Sequence, residues 1–239
     1  MPTYFIAGAS RGIGLELTKQ LSNDKNNTVI ASYRTSAPEL FELAETDNVK
    51  TVVLDINDQN SIESLPQQLS GVSIDVIVLN AGIARSFLPV AQTPRQLWID
   101  HFTTNTIGPV MVFQQLQHLL APSAKAIFIS SVAGSIQSFL PLRSSAYGAS
   151  KAALNFAIKK LSEEHPTIIF LAIHPGMVAT ETGEDSIDSI ANGNQELKAM
   201  LMQSSISPEA SAANVIRSIH SPSISGRFIR ADDQMDIPF

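Results

Sequence analysis

Apolar residues fall along the chain in short unbroken runs, separated by longer stretches where they recur every three or four positions. The short runs are Tyr4-Phe5-Ile6-Ala7, Thr28 to Tyr33, Thr51 to Leu54, Asp75 to Leu79, Ala126 to Ile129, Ile168 to Ile173 and Phe228-Ile229. A run without polar alternation fits a strand buried on both faces, as in a parallel sheet covered by helices. The stretches between them predict helices over Gly12 to Leu21, Pro38 to Thr46, Gln59 to Leu69, Pro94 to Leu120, Tyr147 to Glu164 and Pro208 to Ile219. Ile13, Leu17 and Leu21 share one stripe of the first helix. Strand–helix alternation of this kind predicts an α/β protein: a Rossmann-like three-layer fold with a doubly wound, mostly parallel seven-stranded sheet. No repeat and no Pro/Gly/Ser-rich linker divides the chain, so residues 1–239 read as one domain. One polar segment, residues 180–207, breaks the rhythm and reads as an irregular insertion. It follows the sixth strand, which places it at the carboxyl edge of the sheet, where ligands of open α/β sheets bind.

Composition narrows the chemistry. The absence of cysteine removes disulfides, thiolate nucleophiles and Cys-based zinc sites. His101, His118, His165, His174 and His220 have no metal-motif spacing, so no metal is expected. A net charge of −6 argues against nucleic acid as the main partner. No apolar run reaches the roughly 18–20 residues of a membrane span. The first strand starts by Thr3, which leaves no room for a signal peptide, and a cytoplasmic location is expected.

The first strand runs into Gly8-Ala9-Ser10-Arg11-Gly12-Ile13-Gly14, and a helix follows. Glycines there permit a tight turn and let the backbone approach a pyrophosphate at the helix N-terminus, to which Ser10 and Arg11 can add donors. NAD sites usually carry an acid at the end of the second strand; here that end reads Ser32-Tyr33-Arg34. Arg34 and Arg11 suit a 2′-phosphate through their planar forks of donors, which favours NADP. Tyr147 and Lys151, four apart at a helix start, share one face. A free phenol titrates at about 10, and a nearby ammonium is expected to lower that value. Ser130 or Ser131 ends the fifth strand, and a hydroxyl there can donate to a carbonyl oxygen. Asn105 and Gly108 weaken the long predicted helix at its middle. His174 reads as a strand-end histidine beside the cofactor. Phe139, Leu140, Leu142, Met177 and Met200 suggest a partly apolar pocket.

These motifs, in this order, resemble the short-chain dehydrogenase/reductase family in its single-domain branch: the glycine loop, Asp55, Asn80-Ala81-Gly82, Asn105-x-x-Gly108, Ser131, Tyr147-x-x-x-Lys151 and Pro175-Gly176. Ser130-Ser131-x-x-Gly134 and Gly226-Arg227-Phe228-Ile229 are similar to the C-factor-like carbonyl reductase subgroup. The resemblance implies a dinucleotide-binding and catalytic domain that interconverts a carbonyl and an alcohol on a small molecule with NADPH, and pairing into a homodimer or homotetramer. It implies Tyr147 as proton donor, Lys151 as its tuner and ribose ligand, Ser131 on the substrate oxygen, and Asn105 holding a water that feeds Lys151. It also implies that Asp55 meets the adenine, Asn80, Ala81 and Gly82 touch the cofactor, and Val178 and Thr180 hold the carboxamide. Three departures stand out: Ala7 where the family has Thr, Leu79 where it has a first Asn, and sixteen positions between Ser131 and Tyr147. An NADP-binding signalling protein with little turnover is the alternative, since C-factor-like proteins are linked to signalling.

Overall fold

The computed structural model describes residues 1–85, 87–139, 142–222 and 224–239. Seven strands form one sheet: β1 (Thr3–Ala7), β2 (Thr28–Tyr33), β3 (Val49–Val53), β4 (Ile74–Leu79), β5 (Leu120–Ile129), β6 (Ile169–His174) and β7 (Arg227–Arg230). Their order is β3-β2-β1-β4-β5-β6-β7. Every pair in it is parallel, so the expected mostly parallel sheet is a wholly parallel one.

Side-chain alternation along the strands divides the core. Phe5, Ile77, Phe128 and Phe170 face one layer, while Tyr4, Ile6, Ile127 and Leu171 face the other. The first layer is covered by α3 (Gln59–Glu63), α4 (Leu65–Gln68), α6 (Gly108–Leu116) and α7 (Ser145–Glu164), through Leu65, Phe113, Leu154 and Ile158. The second is covered by α1 (Gly12–Ser22), α2 (Pro38–Leu43) and α10 (Pro208–His220), through Leu17, Leu40, Val215 and Ile219. This two-sided burial is why the strand segments read as continuous apolar runs.

The predicted helix over Pro94 to Leu120 is broken. It comprises α5 (Arg95–Phe102), a π-helical turn over Thr103–Ile107, α6 and a 3₁₀ turn, Gln117–Leu119. The cause is Pro109. It has no N–H for the carbonyl of Asn105, four residues back, and its ring would crowd that oxygen. The helix widens instead, and the Gly108 N–H reaches the Thr103 carbonyl five residues away.

Residues 180–207 are not irregular. They hold α8 (Glu181–Ala191) and α9 (Gln195–Ser204). Thr180 caps α8 by accepting from Gly183 N, Asn192 ends it in the left-handed conformation, and Asn194 caps α9 by accepting from Leu197 N. Those polar residues are helix boundaries. The excursion is closed at its base by the Val178–Ile206 bridge.

Candidate active site

The sheet order reverses between β1 and β4, and the carboxyl ends of these two strands are stitched together. Asn80 N and Ala81 N both donate to Ala7 O, and Asn80 Nδ2 donates to Gly8 O at 2.7 Å. The Leu79 departure thus leaves the motif's structural asparagine in place. Gly8 holds φ +82°, and a Cβ there would lie 2.9 Å from Ala81 Cα. A Cβ on Gly14 would fall 2.0 Å from Gly8 O, so the first turn of α1 sits directly on the loop. Ser32, at the end of β2, anchors that loop: its Oγ accepts from Gly8 N at 2.9 Å and its carbonyl accepts from Ala9 N. The α1 N-terminus has no side-chain cap and no acid in its first turn. Its free N–H groups and positive end are therefore available to an anion.

A cavity of about 790 Å³ opens over this edge. Gly8, Ser10, Arg11, Gly12, Ile13, Arg34, Asp55, Asn80, Ala81, Gly82, Ser131, Tyr147, Lys151, Pro175, Gly176, Val178 and Thr180 all line it. Gly14 and Asn105 do not; they lie behind the wall. Arg34 is exposed at the end of β2, and Asp55 is half-buried with its carboxylate accepting from Asn57 N. Arg11 is paired with Glu181, the first residue of α8. A Cβ on Gly12 would be 3.2 Å from Thr180 Cγ2, so the glycine loop and the start of α8 touch above the trough.

At the other end, Ser131 begins a 3₁₀ turn, Val132–Gly134, and its Oγ accepts from Ala133 N at 3.2 Å. Ser130 is a core residue instead: it donates to Asn155 Oδ1 at 2.6 Å. α7 is pressed onto this turn, because a Cβ on Gly134 would meet the Lys151 main-chain carbon at 2.7 Å. That close approach sets Ser131 beside the Tyr147 phenol, and both line the cavity. Lys151 Nζ is buried, donates to Ile129 O at 2.8 Å, and lies 6.0 Å from the Tyr147 ring centroid.

Burial wins over charge at this pair. It pushes the Tyr147 phenol above its ordinary value, against a smaller downward pull from Ser131. It also pulls Lys151 down to about 8. The expected lowering of the phenol by the ammonium is therefore corrected: Lys151 points at a backbone carbonyl, and desolvation of the phenolate dominates.

The side chain of Asn105 is fully engaged by the protein. Its Oδ1 accepts from Ile83 N at 2.8 Å, and its Nδ2 donates to Ile83 O at 2.9 Å and Ser150 Oγ at 3.1 Å. Both amide hydrogens are spent on the protein. Any water at this position must meet the backbone carbonyl that Pro109 leaves without its usual partner.

Four further residues shape the site. Phe87 stacks on the Tyr147 ring at 5.4 Å, and buried His101 meets it edge-on at 6.2 Å. His101 Nδ1 contacts Leu97 O at 2.8 Å, and burial lowers its pKa, which keeps the ring neutral. Ser32 and Pro109 are the others. Pro109 alone had a local signal, a proline inside a helical pattern. His174 lines the cavity with a buried Nδ1 that has no partner, and burial drops its pKa to about 4, so its ring is neutral and not an acid at neutral pH. Of the residues expected in the apolar pocket, Leu142 and Met177 line the cavity; Phe139 and Met200 are exposed; Leu140 lies outside the described residues. Among the described residues, no helix is long and apolar enough to cross a membrane, and no three acidic or histidine side chains group to hold a metal.

The short chain dehydrogenase family profile matches residues 2–190. An uncharacterized oxidoreductase of Schizosaccharomyces pombe is 40% identical over 249 residues, covering 99% of this chain and 97% of its own. Among solved structures, the carbonyl reductase Sniffer of D. melanogaster superposes with a TM-score of 0.85 at 26% identity, with both chains covered completely. The NADPH-bound carbonyl reductase from chicken fatty liver gives 0.84 at 28% identity, covering 100% of this chain and 98% of its own.

Proposed function

The chain belongs to the short chain dehydrogenase family, and from that premise we propose that it reduces a ketone or aldehyde of a small molecule with NADPH. One observation carries the proposal: the Ser131 and Tyr147 hydroxyls meet in the cavity beside a buried lysine. Carbonyl reductases among the structural neighbours, one with NADPH bound, support it.

The residues fit the cofactor. A glycine loop with positive φ at Gly8 and Gly12, below an uncapped helix N-terminus, suits a pyrophosphate. Arg34 and Arg11, with no acid at the end of β2, suit a 2′-phosphate. Asp55 would meet the adenine, and Asn80, Ala81 and Gly82 would touch the cofactor; all four line the cavity. The backbone at Pro175 and Gly176 would face the nicotinamide, and Val178 and Thr180 would hold its carboxamide; all four line the cavity. Bound there, NADPH would supply the hydride.

The chain's own groups handle the proton. The substrate oxygen meets both the Ser131 and the Tyr147 hydroxyls. Ser131 donates to it, since the Ser131 oxygen already accepts from Ala133 N and its O–H is free to turn. Tyr147 gives its proton to the same oxygen, leaving an alcohol. Lys151 leaves the Ile129 carbonyl for the developing phenolate and the ribose. The Asn105 carbonyl holds the water that refills the proton. We also propose assembly into homo-oligomers through α5 to α7, where Ile99, Ile107 and Phe156 are exposed.

A panel of carbonyl compounds, followed by loss of NADPH absorbance with NADH alongside, tests the activity. Tyr147→Phe should abolish turnover and leave NADPH binding nearly unchanged. Undiminished turnover would remove Tyr147 from the role.

A further inference from the structure

The two ends of the cavity differ in chemistry. The cofactor end is polar: the glycine loop, Arg34, Asp55 and Asn57. Phe87 stacks on the Tyr147 ring, and Leu142, Met177, Ile187 and Ile190 add apolar wall to the same cavity. α8 supplies much of it. Gly183, Ser186, Ile187 and Ile190 line the cavity at the spacing of one helix face, while Glu184, Asp185 and Asp188 are exposed. Ser186 Oγ lies 3.0 Å from the Ala84 carbonyl, which seats that face over the loop bearing Phe87.

Some polar groups at this end are already engaged. The Ser186 hydroxyl is shared between the carbonyls of Thr182 and Ala84, and Ser145 donates to Leu88 O. Lys151 is bound to Ile129 O and is committed to Tyr147 in the proposed mechanism. Arg85 is paired with Asp100, and Arg143, next to Leu142, is exposed and does not line the cavity. Among the described residues, no other cation is within the lining of this end. What remains for a substrate is the Ser131 and Tyr147 hydroxyls together with the neutral Ser144 and Thr182 hydroxyls, beside apolar side chains and under a helix that is acidic outside.

Resting on the reductase reading above, we propose that the substrate is a neutral carbonyl compound with an apolar body, such as an aryl or branched ketone or aldehyde. Keto acids, and other carbonyl compounds with an anionic group a few atoms from the reacting carbon, are excluded. A carboxylate drawn into this chamber loses its water and finds no free cation, and an unpaired buried charge is strongly disfavoured. A substrate oxygen meeting Ser131 and Tyr147 suffers no such loss.

The test uses matched pairs on the full chain: methyl 4-formylbenzoate against 4-formylbenzoate, and the corresponding 4-acetyl pair. The expected kcat/KM favours the esters by about 100-fold or more. Ile190→Arg places a cation in the chamber and should shrink that gap at least about tenfold, mainly by lowering KM for the carboxylates. The wild-type comparison decides the matter even if that variant does not fold. Equal efficiency within each pair, or preference for the carboxylates, would overturn this inference and leave the reductase reading standing. Reduction of none of the four, with no other carbonyl in the panel reduced, would overturn both.

Discussion

Replacing Glu181 with glutamine tests what Arg11 is for. In the proposed complex Arg11 serves a phosphate, yet here it is held by Glu181, across the trough the phosphate must enter. Carboxylate and phosphate then compete for one guanidinium, and Glu181 works against NADPH more than against NADH. The size of the effect follows from exposure. The two side chains are 67% and 68% exposed, so solvent screens the pair. Exposed pairs contribute about 0.2–1 kcal/mol, which sets a factor of roughly 1.4–5 in affinity. Glu181→Gln keeps the shape of the first residue of α8 and removes its charge. NADPH and NADH titrations, followed by nicotinamide fluorescence at low salt, should show tighter NADPH binding by up to about fivefold and little change for NADH. The difference should shrink as salt rises, since exposed charges are screened within a Debye length. Equal tightening of both cofactors would mean that Glu181 only straps the loop to α8. Weaker NADPH binding would mean that the pair helps to retain the cofactor, and either result refutes competition for the phosphate.

Ser130→Ala should lower the melting temperature and spare turnover, because it strips the buried Asn155 carbonyl of its donor while Asn155 Nδ2 already lacks a partner. The cost is about 1–3 kcal/mol, read as a loss of several degrees in a thermal melt; an unchanged melt would refute it. Ser131→Ala should do the reverse, cutting kcat about 100-fold with a small change in the melt, and unchanged kcat would remove Ser131 from the site. Pro109→Ala restores an N–H to the Asn105 carbonyl and lets the π-turn close, which shifts the Asn105 clamp on Ile83. It should lower kcat roughly ten- to a hundredfold without weakening NADPH binding, and full kcat would disprove a role for the widened turn. Finally, Lys151 loses its proton as pH rises through about 8, while Tyr147 keeps its own beyond the ordinary phenol range. Reduction, followed as kcat/KM of the free enzyme, should therefore fall above pH of about 8; a profile flat to pH of about 10 would show that the ammonium is not required.

The sheet was legible because both faces of its central strands are buried, so those strands appear as apolar runs. Edges were less clear: β5 starts at Leu120 rather than Ala126, since Pro122, Ser123 and Lys125 interrupt the apolar pattern while Leu120 already pairs with Ile74. The segment after Thr180 was misread for the opposite reason. Its helices lie on the surface, and Thr180, Asn192 and Asn194 look like loop residues unless taken as caps. In the site, Tyr147 and Lys151 were legible through helical spacing, and the glycines through the strand before them. Ser32, Phe87 and His101 were not, because their roles arise from contacts between segments far apart in sequence. The direction of the phenol shift was also hidden: charge is visible in a sequence, whereas desolvation depends on what surrounds the group.

That hidden term bears on the direction of the proposed reaction. A proton donor must hold its proton until the substrate oxygen becomes basic. Burial of Tyr147 under Phe87 and beside His101 favours the protonated phenol, and the neutral state of His101 adds no nearby positive charge to oppose it. Ser131 pulls the other way, but its hydroxyl is also offered to the substrate oxygen. When the carbonyl takes it, the phenol loses part of its stabilisation as phenolate and is held more firmly as an acid. Oxidation of an alcohol needs the phenolate first, against the same burial. At neutral pH the free site is therefore biased toward reduction by its packing, and Lys151 contributes to proton transfer only once it has left the Ile129 carbonyl.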